Sequence, residues 1–137
     1  MPILIYPNAG SLWLAGKVRT ALAASEIRLF KAGEISLGPT TTLVELVAAE
    51  ADYTGYGPEA IAAWFPPLLN PLGGSSIESG LVQFDIAAPY TVPNVVAGWW
   101  IEDSTGALVV AGEFAATKAL IGEGDGIPFN VELVFGG

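Results

Sequence analysis

Val95-Val96-Ala97-Gly98-Trp99-Trp100-Ile101-Glu102-Asp103-Ser104-Thr105-Gly106-Ala107-Leu108-Val109-Val110-Ala111-Gly112-Glu113-Phe114 reads as a β-hairpin. Two apolar runs, residues 95–102 and 107–114, flank a compact polar turn, with Gly106 placed to accept a positive φ. Trp99 and Trp100 are consecutive in the first run, so in a strand they point to opposite faces. One of them is expected to face away from the main core, where it either covers a neighbouring element of the same chain or sits in an intersubunit or ligand interface, for which tryptophan is a common anchor.

The same pattern extends on both sides of the hairpin. Ile127, Phe129, Val131, Leu133 and Phe135 alternate strictly with residues that include Asn130 and Glu132, which predicts a last strand with one face in the core. Val82, Phe84 and Ile86 alternate with Leu81, Gln83 and Asp85, the period of two that marks a half-buried sheet. Short turns between several strands point to a mainly β domain, a β-sandwich or jelly-roll-like fold over residues 1–137, with one or two short helices near the N terminus.

The N-terminal part is less regular. After an extended start, Asn8-Ala9-Gly10 reads as a turn and Ser11 can cap a helix over residues 12–24. Leu14, Val18, Ala21 and Leu22 fall on one face of it, Lys17, Arg19 and Thr20 point elsewhere, and Trp13 lies off the apolar stripe. Residues 1–25 thus form a candidate assembly arm. Residues 26–31 read as a strand with Ile27 and Leu29 on one face. Thr42-Leu43-Val44-Glu45 is a capping-box sequence opening a helix to about Ala49, with Leu43, Leu46 and Val47 as its apolar face. Residues 59–65 read as a strand or a helical turn. Residues 66–76, with three prolines and a Gly-Gly pair, read as a loop whose Leu68, Leu69 and Leu72 are expected to contact something, since exposed apolar surface costs ~25 cal/mol per Å².

Composition narrows the function classes. Five Lys and Arg against 14 Asp and Glu give a net charge of -9, which removes any broad attraction to phosphate backbones, so no nucleic-acid partner is expected. Neither Cys nor His is present, which removes disulfides, thiolate nucleophiles, imidazole bases and nearly every transition-metal site. No cofactor is expected, and the absence of Cys suits assembly in a reducing cytoplasm. Only 14% of residues are charged, against about 25% in ordinary domains. A membrane span does not explain this, because Pro89 and Pro93, and Pro66, Pro67 and Pro71, interrupt the longest uncharged stretches. Nor do residues 1–7 have the basic region and length of a signal peptide. The economical explanation is burial of outer surface against further copies or a partner, where charge is depleted.

Carboxylates are the remaining candidates for chemistry. Glu102 and Asp103 are adjacent at the hairpin, and Glu78 and Asp85 sit in one strand region, so a paired-carboxylate glycosidase is the enzyme class to weigh. Acids at turns and on solvent faces are, however, what any acidic β protein shows. The segment 122–126, Gly-Glu-Gly-Asp-Gly, lacks the repeated ligands of a calcium loop and reads as a turn. Tyr53, Tyr56 and Trp64 offer a sugar-stacking platform, but loop aromatics more commonly pack on the edge of a sandwich. Residues 1–31 carry a charge of +3 and residues 32–137 a charge of -12, so the basic N-terminal segment can dock on an acidic partner. The candidate interface residues are Trp13, Lys17, Arg19, Leu68, Leu69, Trp99 and Trp100.

Several segments, in order, resemble a family of small tailed-phage virion proteins. They are Ile5-Tyr6-Pro7-Asn8-Ala9-Gly10 before a helix, Ile27-Arg28-Leu29-Phe30, Glu50-Ala51-Asp52-Tyr53-Thr54-Gly55-Tyr56, Val96-Ala97-Gly98-Trp99-Trp100-Ile101 through Gly112-Glu113-Phe114, and Gly124-Asp125-Gly126-Ile127-Pro128. Trp99 and Trp100 stand where Gly-Tyr-type residues are expected. The resemblance implies a non-enzymatic capsid decoration, or cement, protein on the virion surface, bound to the major capsid protein and commonly trimeric. A tail, adaptor or fibre-associated protein, or a small carbohydrate-binding module, is the alternative.

Overall fold

The computed structural model describes residues 8–53, 55–71, 73–85, 94–120 and 126–135. Helix α1 (Asn8–Ala21) is followed by β1 (Glu26–Lys31), α2 (Leu43–Ala48), β2 (Glu59–Ala60), β3 (Leu68–Leu69), β4 (Ser75–Glu78), β5 (Val82–Asp85), β6 (Asn94–Glu102), β7 (Leu108–Leu120), β8 (Gly126–Phe129) and β9 (Glu132–Phe135). The fold is mainly β and sandwich-like, with sheets ordered β2-β1-β6-β7, β3-β4-β9 and β5-β8, all antiparallel.

The hairpin forms as its sequence predicts. β6 pairs with β7 across a turn in which Gly106 has φ 83°. The Asp103 carboxylate closes that turn, accepting the Thr105 N–H at 2.8 Å, the Thr105 hydroxyl at 2.6 Å and the Ala107 N–H at 3.0 Å. β7 runs on past Phe114 to Leu120, with irregular pairing between its two ends.

Sheet register settles the two tryptophans. Leu29 lies opposite Trp99, and Arg28 opposite Trp100, so adjacent residues of β1 and β6 serve opposite faces. On one face Ile27, Leu29 and Ile101 join the main core with Ile77, Val82, Phe84, Ile127 and Val131, and Trp99 packs against it. On the other face Phe30 and Trp100, with Leu46 and Ala49 of the α2 region, form a second core. The two tryptophans thus serve opposite faces, and the one turned away from the main core, Trp100, covers a neighbouring element of the same chain, the α2 region, instead of sitting in an intersubunit or ligand interface. Gly98, opposite Phe30, has no room for a Cβ, which would collide with the Phe30 ring and the Gly112 carbonyl.

The C-terminal alternation also holds, but in two strands. Ile127 and Val131 are buried, and Phe129, Leu133 and Phe135 pack on the main core. β8 pairs with β5 and β9 with β4, so one long antiparallel ladder is kinked where Ser79 meets Val131. Ser79 holds the kink: its N–H donates to the Val131 carbonyl and its hydroxyl accepts the Val131 N–H, both at 2.8 Å. A change of sheet partner keeps the period of two, which is why the sequence pattern does not show it.

α1 departs from expectation in extent and face. It begins at Asn8, where a turn was expected, and ends at Ala21, with Ala24 in the left-handed region at φ 60°. Ser11, Ala15 and Leu22 are buried, Val18 packs on the core and Ala21 is exposed, so the buried stripe is rotated by one residue from Leu14, Val18, Ala21 and Leu22. The α2 capping box forms, with the Thr42 N–H donating to Glu45 Oε2 at 2.8 Å and Thr42 Oγ1 accepting the Glu45 N–H at 3.3 Å. Leu46 is buried beneath it, whereas Val47 is 51% exposed and does not belong to its core face. Only Glu59–Ala60 of residues 59–65 forms a strand, and residues 66–76 contain β3 and the start of β4. Residues 1–7, Leu72, Ile86 and 122–125 lie outside the described residues.

Candidate functional site

The largest polar cluster lies at the edge of β1. There the pairing partner changes: β2 pairs at Glu26 and Ile27, whereas Lys31 donates its N–H to the Ala49 carbonyl and the Ala51 N–H donates to Leu29. Between the two partners the Leu29 N–H is capped by the Tyr56 hydroxyl at 3.2 Å, which itself donates to Glu50 Oε1 at 2.9 Å. Burial pushes the Tyr56 phenol pKa well above its ordinary value.

Arg28 gathers the charges around this point. Its guanidinium lies 3.0 Å from Glu50, 3.1 Å from Glu102 and 3.6 Å from Glu26. Burial works against the cation, but the hydrogen bond and charge of Glu50 and the charge of Glu102 prevail and hold its pKa above the ordinary value. Glu102 also accepts the Trp100 indole N–H at 2.8 Å. The cluster thus ties the loop after α2 to β1 and β6 through one guanidinium shared among three carboxylates.

The other predicted carboxylates have comparable roles. Asp103 is held below its ordinary pKa by the Thr105 hydroxyl and by the Ala107 and Thr105 amides. Glu78 accepts from the Asn130 amide, and Asp85 from Gln83 at 2.7 Å. Glu102 and Asp103, adjacent in sequence, are therefore divided between a charge cluster and a turn. Among the described residues, no group of three or more Asp or Glu is arranged to hold a metal ion, and no helix is long and apolar enough to cross a membrane.

The tyrosines and Trp64 do not form an external platform. Tyr53 and Trp64 are 4% and 6% exposed, so these aromatics pack inward, the commoner course for them, and belong to the core. Tyr53, Tyr56, Phe84 and Phe129 form a continuous row of ring contacts with centroids 5.3, 6.1 and 6.2 Å apart. Trp99 and Phe114 close the row on Phe129.

Of the candidate interface residues, Trp100 has no exposed surface and cannot touch a partner, and Trp99 is half-buried in the main core. Trp13 is 64% exposed, with Lys17 Nζ 5.7 Å from its ring centroid. Arg19 donates to the Trp64 carbonyl at 2.7 Å, pinning α1 to the segment after β2. Leu68 and Leu69 are exposed on β3, and α1 packs against that sheet. The basic N-terminal segment is less available than its sequence suggests: Arg28 is paired as above, and Lys31 lies 3.6 Å from Glu34 and 3.5 Å from Asp52.

Val44, Val47, Phe65, Val109 and Val134 are also exposed. Val134 lies on the outer face, as the C-terminal alternation requires, and Val44 lies off the expected core face of α2, whereas Val47 departs from the face expected of it. Between the loop before α2 and β7 lies an apolar cleft of about 400 Å³, lined by Leu37, Gly38, Thr41, Leu46 and residues 108–111.

Compared with known proteins, the chain matches no family model, no curated protein and no solved structure.

Proposed function

We propose that this chain is a non-enzymatic structural protein of a tailed-phage virion, a decoration protein that binds the major capsid protein on the head surface in many copies, as an oligomer. The observation that carries this reading is the apolar exterior. Val44, Leu81, Leu68, Trp13 and Val134 are all more than half exposed on a chain in which only 14% of residues are charged. A chain with so few charged groups gains by covering such side chains against another surface, where charge is depleted. Permanent interfaces bury ~2,000 Å² or more and are core-like, so they use such residues. Engagement of Glu50, Glu102 and Asp103 in structural contacts supports assembly over catalysis. The order of phage-like sequence motifs supplies the identity of the larger particle.

Virions carrying the protein, separated into heads and tails, provide the test. Quantitative mass spectrometry of each fraction is expected to find many copies on heads, in fixed ratio to the major capsid protein. A few copies confined to tails would replace this reading with a tail or adaptor role. Absence from both would overturn it.

A further inference from the structure

The cleft between the loop before α2 and β7 opens onto the second core. Leu46, which lines it, is fully buried, and Leu37, Leu108 and Ala111 on its walls pack against the same cluster as Trp100. Its β7 side is irregular: Ile101 pairs with Val110 but Glu102 with Leu108, so Val109 is an extra residue with no counterpart in β6. A bulge re-aims side chains, and here residues 108–111 all border the cleft, with Val109 43% exposed. The lining carries no charge, and its only polar side chain is Thr41. The Thr41 hydroxyl accepts the Gly38 N–H at 3.0 Å, and among the described residues its own proton meets no acceptor.

We propose that this cleft binds a small uncharged molecule with an apolar ring or short-chain body and one hydrogen-bond acceptor, which the Thr41 hydroxyl holds. Size, charge and polarity each select that occupant. The volume, about 400 Å³, falls in the range of small-molecule sites, ~300–1,000 Å³, and leaves no room for a helix or a folded partner. An ion entering the cleft would give up water and find no counter-charge on its walls, which is costly for either sign. The net charge of -9 opposes an anion further. A single donor set among apolar walls is enough to orient a ligand that offers one acceptor, the usual division of labour in such sites. Thr41 is suited to it because its oxygen is already fixed by Gly38 while its proton remains to be given. This site does not depend on a virion role.

Methyl NMR of the full chain, titrated with acetophenone, a phenyl ring bearing one carbonyl, tests the proposal. Saturable shifts are expected at the methyls of Leu37, Leu46, Leu108 and Val109, with a Kd of about 1 mM or tighter, while Ile77 and Val131 of the main core stay in place. Thr41→Val should weaken acetophenone about fivefold and leave ethylbenzene, the same ring without the carbonyl, unaffected. Val109→Trp, at an exposed position that accepts a larger side chain, should fill the cleft and abolish saturable binding of both probes. A wild type without saturable shifts, shifts spread over both cores, equal effects of Thr41→Val on the two probes, or undiminished binding by Val109→Trp would each overturn the proposal.

Discussion

The hydroxyl of Tyr56 caps the backbone N–H of Leu29 at 3.2 Å, at the point where β1 exchanges one edge partner for another. A side chain here completes a ladder that the backbone leaves open, and its hydroxyl donates a hydrogen bond to Glu50. Tyr56→Phe leaves a backbone donor without its partner and is expected to cost about 1–3 kcal/mol, measured by urea denaturation. The phenol also sets an alkaline limit. Its folded pKa is raised, so its stabilisation is complete below the ordinary tyrosine value of about 10 and is lost as pH rises beyond it. Wild type should therefore lose stability above about pH 10 more steeply than Tyr56→Phe.

Among the described residues, Arg28 is the only cation paired with Glu26, Glu50 and Glu102. Arg28→Met keeps the aliphatic stem but leaves half-buried carboxylates unpaired. A loss of about 2–3 kcal/mol is expected, below the ~3–5 kcal/mol of a fully buried pair because water reaches this one. Arg28→Lys should recover only part of that loss, since one ammonium cannot reproduce the fork that reaches several carboxylates.

The hairpin turn should carry an acid-dependent share of stability. Asp103 titrates below its ordinary value when folded, so its contribution is present above the unfolded pKa and is lost as pH falls through the folded one. Asp103→Asn removes the titration but retains an acceptor oxygen. The stability gap between wild type and Asp103→Asn, followed by thermal melts from neutral to acid pH, should narrow as the carboxylate protonates.

Ala24 holds a left-handed conformation, φ 60°, in the turn that ends α1. That geometry costs a non-glycine residue roughly 1–2 kcal/mol, partly offset by the greater chain entropy of glycine when unfolded. Ala24→Gly is expected to raise stability by about 0.5–1 kcal/mol in the same urea measurement.

Local signals in the sequence were read correctly wherever one segment decides its own structure. The Asp103 turn, the Thr42 capping box and the inward series from Ile127 to Phe135 depend on neighbours within a few positions. Features set by distant partners were not legible. That Trp99 and Trp100 are both covered depends on α2 closing over the second face of the sheet, and the Arg28 cluster joins residues from three separate segments. The one-residue rotation of the α1 stripe reflects the small residues Ser11 and Ala15, whose burial permits close approach but gives no hydrophobic signal. Tyr53, Tyr56 and Trp64 follow the commoner course of loop aromatics and pack inward, so the alternative sugar-stacking platform does not form.

The decoration role is tested most directly by adding the purified protein to head shells prepared without it and measuring both bound copies and the temperature of shell disassembly. Saturable binding in fixed ratio to the major capsid protein, with a higher disassembly temperature, is the predicted result. Shells that bind none of the protein, and come apart at the same temperature with it as without it, would contradict the account.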